Sequence, residues 1–521
     1  MRHFKVKQVC LAVGSAFAVG IAAQAHAGTP VANGANALDG FVAGSTAFEP
    51  ALRAYMRSIC ATTVEEFQVA AVTQTGDAIY GTGTSNQKAI MWQCSTLTTA
   101  IGSSTSLTLR KSSGDSGEGV TGVSNFYPVN FISTANAAAV AGFACGSVSS
   151  TAAETGLSAM NQQTCSYSTS TGSAYIAATN GLAGMADVEP SILNTAIGAV
   201  VPSFSNVSIT NIAAAIWGVP VTKTFRDKLQ GVQGLTVGSD TEANMPSLSK
   251  TALYSIFANV VSNADSFTDA SNVGISTLAF AGSPASANGN RLYFLRRPES
   301  SGTMASFKAM FGNTPCTGTA GWAGDGSGIS TCVAQTQTSA KATFTFQSTG
   351  NLISCLTTLN SGQRYGIGIS ASSQNPIPNN VAASDKGFRW IKVDGYAPTL
   401  FNAATGHYPY ITEATFMTAT SGPLAPSGDA ITLLNNIRTG MRTPSIIAKV
   451  NADNTGGDQQ YGGFKTGYVV TAAAGFAPTY PLSAANMDIN PVIPGTRNTG
   501  SANSCQPVAN FTSQKIPVNQ Q

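Results

Sequence analysis

The sequence predicts an α/β protein of two lobes, on three observations. Strand-like and helix-like runs alternate along the chain. The turns between them are rich in Ser, Thr, Gly and Asp. About 490 residues follow an N-terminal leader, more than one core usually encloses.

The leader comprises residues 1–27. A basic start (Arg2, Lys5, Lys7) precedes an apolar stretch from Val9 to Ala23, and Ala25-His26-Ala27 stands before Gly28. This pattern predicts a signal peptide cleaved after Ala27, which would deliver the chain to the periplasm or the cell exterior. No later stretch approaches the ~20 apolar residues that a membrane span needs. Without the three leader cations, 24 basic residues face 24 acidic ones. Sparse, balanced charge on a Ser/Thr/Asn/Gly-rich chain argues against a nucleic-acid or anionic-membrane partner.

Past Cys10, eight cysteines remain: Cys60, Cys94, Cys145, Cys165, Cys316, Cys332, Cys355 and Cys505. An even number in an exported chain predicts disulfides, with connectivity left open by the sequence. Cys145/Cys165 and Cys316/Cys332 each bracket a Ser/Thr/Gly-rich segment and are expected to bond locally. Elimination then pairs Cys60 with Cys94 and Cys355 with Cys505. With no Cys-x-x-Cys motif or Cys/His cluster, neither a metal nor a cofactor is expected.

Taken in order, Phe41 to Ala43 reads as a strand that passes through Gly44-Ser45-Thr46 into a helix from Pro50 to Cys60, where Leu52, Tyr55, Met56 and Ile59 make one apolar face. Leu107-Thr108-Leu109 alternates as a strand and runs into Lys111-Ser112-Ser113-Gly114-Asp115-Ser116-Gly117. Segments near 146–180 and 313–345 have the low complexity of surface insertions. Leu248-Ser249-Lys250-Thr251 opens a helix through Phe257, and Asp429 opens another through Ile437. Leu292 to Leu295 reads as a strand, and Phe307, Met310 and Phe311 mark a helix stopped by Gly312.

Between those last two lies Arg297-Pro298-Glu299-Ser300-Ser301-Gly302-Thr303. A strand that ends in Arg and turns through Ser-Gly-Thr into a helix sets a guanidinium, two hydroxyls and backbone N–H groups around one point. Gly302 allows backbone to approach a ligand closely. Three further strand-end turns share this character: Gly44-Ser45-Thr46, Ser112 to Gly117, and Ala186-Asp187-Val188-Glu189-Pro190.

In that order the turns resemble the ligand loops of the phosphate-binding proteins of bacterial ABC uptake systems: a Gly-x-Thr turn, a Gly-Ser-Ser-Gly-Gly turn, a Ser-Asp-x-Pro turn, and Arg-x-Asp-Gly-Ser-Gly-Thr. Leu248 to Phe257 is similar to the family's Leu-x-x-Ile-Phe helix, and Tyr365-Gly366-Ile367-Gly368 to its Gly-Tyr strand. Tyr408-Pro409-Tyr410-Ile411-Thr412 resembles its return crossing between lobes. The resemblance implies a two-lobe, periplasmic-binding-protein-like fold of type II with Ser/Thr/Gly-rich insertions. Lobe one would comprise 38–216 plus 413–521, and lobe two 217–412. It also implies capture of phosphate or a similar tetrahedral oxyanion in the interlobe cleft, with an ABC transporter permease as partner. The ligand residues it implies are Thr46, the Ala47 backbone, Ser113, Asp187, Arg297, Ser301, Gly302 and Thr303. Asp187 would accept a hydrogen bond from a protonated phosphate and reject sulfate, which offers no proton.

The sequence departs from that pattern in three ways. Ala47 stands where the family has an aromatic residue. Asp115 replaces a glycine, and Ser113 and Ser116 compete for one role. The extra carboxylates Asp115, Glu118 and Glu299 are expected to face solvent. Two other classes compete: an extracellular structural or adhesive protein that keeps the scaffold without a ligand, and a phosphate-ester hydrolase. The hydrolase is disfavoured, because His407 is the one histidine beyond the leader and no nucleophile elbow or His-Glu-x-x-His motif occurs.

Overall fold

The computed structural model describes residues 37–497, apart from 75–84, 125–128, 134–143, 167–174, 178–180, 198–203, 262, 284–285, 288, 313–331, 333–340, 347, 379–380, 453–459 and 462–463, together with 509–510. The leader lies outside the described residues, as do Cys316 and Cys505.

A largely apolar strand, β1 (Ala37–Gly44), lies inside the first sheet because it is buried on both faces, as parallel strands are. It runs parallel to a later strand on each side. The sheet is completed by β2 (Val64–Gln74), β3 (Ser85–Cys94), β4 (Ser106–Ser113), β5 (Ala144–Thr151), β6 (Met160–Ser166), β7 (Leu182–Ala186) and the first part of β8 (Val207–Thr222). The second sheet contains β9 (Leu292–Arg296), β10 (Lys341–Thr345), β11 (Tyr365–Gly368) and β12 (Phe388–Val393). Two late strands, β13 (Ile411–Ala419) and β14 (Tyr468–Thr471), return to the first sheet.

Strand order in the first sheet is β5-β6-β2-β3-β4-β1-β7-β13-β8-β14, with β4 and β7 parallel to β1. In the second it is β10-β9-β11-β8-β12, with β9, β10 and β11 mutually parallel. One strand therefore serves both sheets. Residues 207–216 of β8 pair with β13 and β14, while residues 219–222 pair with β12 and β11. The return crossing lies against the switch: Trp217 N–H donates to Tyr410 O at 2.9 Å, and the Tyr408 hydroxyl to Trp217 O at 2.7 Å. The alternation read from the sequence is thus present as a mixed α/β architecture.

Most helices open shortly after a strand ends. Among the described residues they include α1 (Glu49–Ile59), α2 (Ser116–Ser124), α3 (Pro190–Ile197), α4 (Lys223–Val232), α5 (Lys250–Phe257), α6 (Gly302–Gly312), α7 (Thr349–Ser361) and α8 (Asp429–Gly440). Their local logic is ordinary: Ser249 caps α5 by accepting from Ala252 N–H at 3.1 Å, and Pro50 occupies the first turn of α1. The apolar face of α1 buries Leu52, Tyr55 and Met56, and its Arg53 reaches a fully buried Glu66 on β2 through two hydrogen bonds of 2.6 and 3.0 Å. Trp92 and Gln162 donate to the same carboxylate, so a charge that would be costly alone is satisfied on several sides. These partners outweigh burial and hold the Glu66 carboxyl down at about 2.

Two expectations change. Three disulfides lie among the described residues: Cys60–Cys94, Cys145–Cys165 and Cys332–Cys355. Cys332 is therefore joined to Cys355 of α7 rather than to Cys316, and Cys355 to it rather than to Cys505, because Cys332 packs against the apolar cluster to which Ile353, Cys355 and Leu356 of α7 belong. Part of the 146–180 segment, expected as a surface insertion, forms β5 and β6, and β6 pairs in parallel with β2 to extend the sheet. Likewise 341–345, expected within a second insertion, is β10, with Phe344 buried. Thr and Ser alternate well enough with apolar residues to make a half-buried pleat.

Non-reducing peptide mapping should recover Cys332 linked to Cys355. Replacing Cys60 and Cys94 together by serine should lower stability by about 4 kcal/mol, from the loop-closure entropy returned to the unfolded chain. Denaturant melts of the double variant measure this, and a loss below about 1 kcal/mol would show that the loop is already constrained when unfolded.

Candidate functional site

Four strand–turn–helix units bring their turns to one place. The turns follow β1, β4 and β7 on the first sheet and β9 on the second, and open α1, α2, α3 and α6 respectively. Parallel strands flanked by helices present ligands with the carboxyl ends of strands and the amino ends of helices, where backbone N–H groups carry partial positive charge.

Asp187 is the meeting point. The Ser45 hydroxyl donates to its carboxylate, and so does the hydroxyl of Thr303 from the second sheet. Its own N–H donates to Ser116 Oγ at 3.0 Å, and its carbonyl accepts from Thr412 Oγ at 3.0 Å. Gly302 is required by this approach: a Cβ there would lie 2.2 Å from Ser116 Oγ and 2.7 Å from Asp187 Cβ. Gly44, at φ 99°, is constrained likewise, since a Cβ would come within 2.3 Å of Met185 O.

Arg297 is buried beneath the fourth turn. Its Nε donates to Phe346 O at 2.9 Å and its Nη1 to Thr349 Oγ1 at 3.0 Å, which fixes the guanidinium plane. Burial lowers its pKa, while the charges of Asp187 and Asp115 oppose that shift. Asp187 moves the other way: burial raises its carboxyl above the ordinary range, against the pull of Ser45, Arg297, Lys111 and Thr303. A carboxyl placed so is suited to sharing a proton with a ligand.

Of the residues named from the sequence, Asp187, Ser301, Gly302, Thr303 and Arg297 gather here and are buried. Ser113 is buried at the end of β4, where its hydroxyl helps to lower the pKa of the buried Glu49 carboxyl. In the first turn the register differs. Thr46 is half-buried, its neighbour Ser45 reaches Asp187, and the Ala47 N–H is taken by Ser45 Oγ at 3.1 Å.

The carboxylates also differ from expectation. Glu299 does lie partly exposed, paired with Arg296 and Lys308. Asp115 and Glu118 are buried instead. Asp115 caps α2 by accepting the Glu118 N–H at 3.1 Å, and takes the hydroxyl of Ser300 from the turn after β9. Glu118 accepts from Ser112 Oγ at 2.5 Å. A helix amino end and hydroxyl donors replace the water these groups lose.

Sequence reasoning missed Lys111. Its Nζ is fully buried and donates to Gly44 O at 2.6 Å and Ser112 O at 2.9 Å, tying together the ends of β1 and β4. Burial pulls its pKa down to about 8, although Glu49, Glu118 and Asp187 favour the charged form. The only available signal was its position two residues before Ser113 in a turn already marked. His407 takes no part in the cluster: it stacks on Tyr396 at 4.6 Å and shares a hydrogen bond of 3.1 Å with Thr405. Among the described residues no group of His, Cys, Asp and Glu could hold a metal.

No family model and no curated protein matches the chain. Solved structures show distant, partial likeness. One from Clostridium perfringens, described as a phosphate ABC transporter substrate-binding protein with bound phosphate, is 14% identical over 51% of this chain and 76% of its own, at TM-score 0.30. An ABC-type phosphate transport receptor from Vibrio cholerae is 13% identical over 45% and 68%, at 0.26. PstS from Borrelia burgdorferi is 13% identical over 47% and 71%, at 0.24.

Glu189, in the third turn, gives a pH test of this region. Burial raises its carboxyl to about 7, with Glu413 adding to the shift and Arg497 opposing it. The folded state binds this proton more tightly than the unfolded one, so the contribution is complete below about 4.5 and is lost as pH rises through 7. Glu189→Gln should therefore remove a pH-dependent loss of about 3 kcal/mol between pH 4.5 and 7, seen as a flatter stability profile in chemical denaturation.

Proposed function

We propose that the protein is an exported solute-binding protein that captures phosphate, or a similar tetrahedral oxyanion, between two lobes. The observation that carries this reading is the gathering of four helix-opening turns from two sheets around Asp187 and Arg297. Such a site offers hydroxyls and amide N–H groups with one fixed guanidinium, which suits a dehydrated oxyanion that needs many hydrogen bonds and little added charge. Asp187 adds the demand for a proton on the ligand.

In this reading the lobes divide at the switch within β8: 38–216 with 413–521, and 217–412. The leader 1–27 directs export and is removed, the disulfides suit an oxidising compartment, and an ABC transporter permease receives the ligand. Ser45 replaces Thr46 as the first turn's hydroxyl, and Lys111 supports the ends of β1 and β4. The protein acts as a binder rather than an enzyme, since its one histidine beyond the leader has its contacts outside the cluster. The buried Asp115 favours a second reading, a structural protein that keeps the scaffold without a ligand.

Calorimetry on the processed protein decides between them. Phosphate should bind and sulfate should not. Arg297→Ala should lose roughly 2 to 5 kcal/mol of phosphate affinity, the usual cost of truncating a buried charged donor. Asp187→Asn supplies an amide donor to an unprotonated oxygen, so it should narrow the preference for phosphate over sulfate more than it weakens anion binding overall. Folded protein that binds neither anion at millimolar concentration would establish the second reading.

A further inference from the structure

Asp115 joins the two sheets through groups that belong wholly to the protein. Its carboxylate on the turn after β4 takes the Ser300 hydroxyl from the turn after β9. Beside it, Gly117 N–H donates to Ser300 O at 3.3 Å. These contacts link positions 185 residues apart in sequence, beside the close approach of Gly302 to Ser116 and Asp187. Asp115 also acts electrostatically on Arg297, the guanidinium that an anion would use.

We propose that Asp115 sets the affinity of the cleft: it fastens the two turns to each other and competes with the incoming anion for Arg297. A carboxylate whose charge acts on the guanidinium supplies part of the stabilisation that a bound oxyanion would supply. The anion must then be accommodated beside a fixed negative charge rather than in its place. Fastening also has a kinetic side, since both turns must separate for a ligand to enter a site this buried. The inference concerns the same cleft and, for its ligand arm, rests on the oxyanion reading.

Two variants test it without disturbing the groups assigned to the ligand. Ser300→Ala removes the donor across the cleft and leaves Asp115 capping α2. Asp115→Asn keeps a carbonyl oxygen for that cap and removes the charge. The Gly117–Ser300 backbone bond survives in both, and thermal melts check that the fold is retained. Hydrogen exchange on ligand-free protein should show amides of residues 112–117, 297 and 299–303 exchanging roughly tenfold faster in Ser300→Ala than in the wild type, and a smaller acceleration in Asp115→Asn, whose amide can still donate to Ser300 Oγ. Isothermal calorimetry should show phosphate binding tightened about fivefold or more by Asp115→Asn.

Unchanged exchange in both variants would overturn the fastening role. Faster exchange without tighter phosphate binding would overturn the effect on affinity. Faster exchange in variants that bind no phosphate would leave the fastening standing and remove the oxyanion reading on which the affinity effect depends.

Discussion

The sharing of β8 by two sheets is the constraint on which the rest depends. A parallel strand can aim its carboxyl end at a ligand, but one sheet surrounds a ligand from one side only. Here the strand that leaves the first sheet at residue 216 enters the second within three residues, and the return at Tyr408 to Ile411 is hydrogen-bonded to Trp217. The turn after β9 is thereby placed opposite those after β1, β4 and β7. Ser45, from the turn after β1, and Thr303, from the turn after β9, thus reach the same carboxylate.

Around that carboxylate charges of both signs are buried together. Arg297 and Lys111 are both buried, and so are Asp115, Glu118 and Asp187. Burying ions is tolerable only where dipoles and opposite charges replace water. The helix amino end at α2, the carbonyls of Gly44 and Ser112, and the hydroxyls of Ser45, Ser112, Ser300 and Thr303 do so here. Within this set burial raises the Asp187 carboxyl above its ordinary range, against the pull of Ser45, Arg297, Lys111 and Thr303.

The turns were legible in the sequence because their chemistry is local: a strand end, small hydroxyl residues, a glycine, then helix periodicity. The alternation of elements and the helices opened by Ser249 and Asp429 were legible for the same reason. What escaped depends on which strands lie side by side. Lys111 matters because β1 and β4 are neighbours in register, with Val42 opposite Lys111 and Ala43 opposite Ser112, and no pattern in either strand announces that pairing. Ser45 rather than Thr46 reaches Asp187, directly after Gly44 at positive φ, a turn geometry that the residue types alone do not specify. Asp115 and Glu118 looked like surface charges in a hydrophilic stretch, since their partners come from a distant turn and from the preceding strand. The Cys332–Cys355 bond reflects the packing of Cys332 against the apolar cluster of α7, which spacing between cysteines does not encode.

Thr412 is fully buried where the return crossing re-enters the first sheet. Its hydroxyl accepts from the indole N–H of Trp217 at 2.6 Å, donates to Asp187 O at 3.0 Å, and lies 3.2 Å from Ser306 Oγ on α6. Trp217 itself meets Phe307 of α6 edge-on at 6.1 Å. An indole so placed is a built-in optical gauge. Its emission depends on the hydrogen bond at Nε1 and on the ring facing it, and both of these are coupled to the Asp187 turn and to the helix that begins at Gly302. The chromophore sits where β8 passes from one sheet to the other, and with Trp92, Trp322 and Trp390 replaced by Phe its emission would report on that junction with no dye attached.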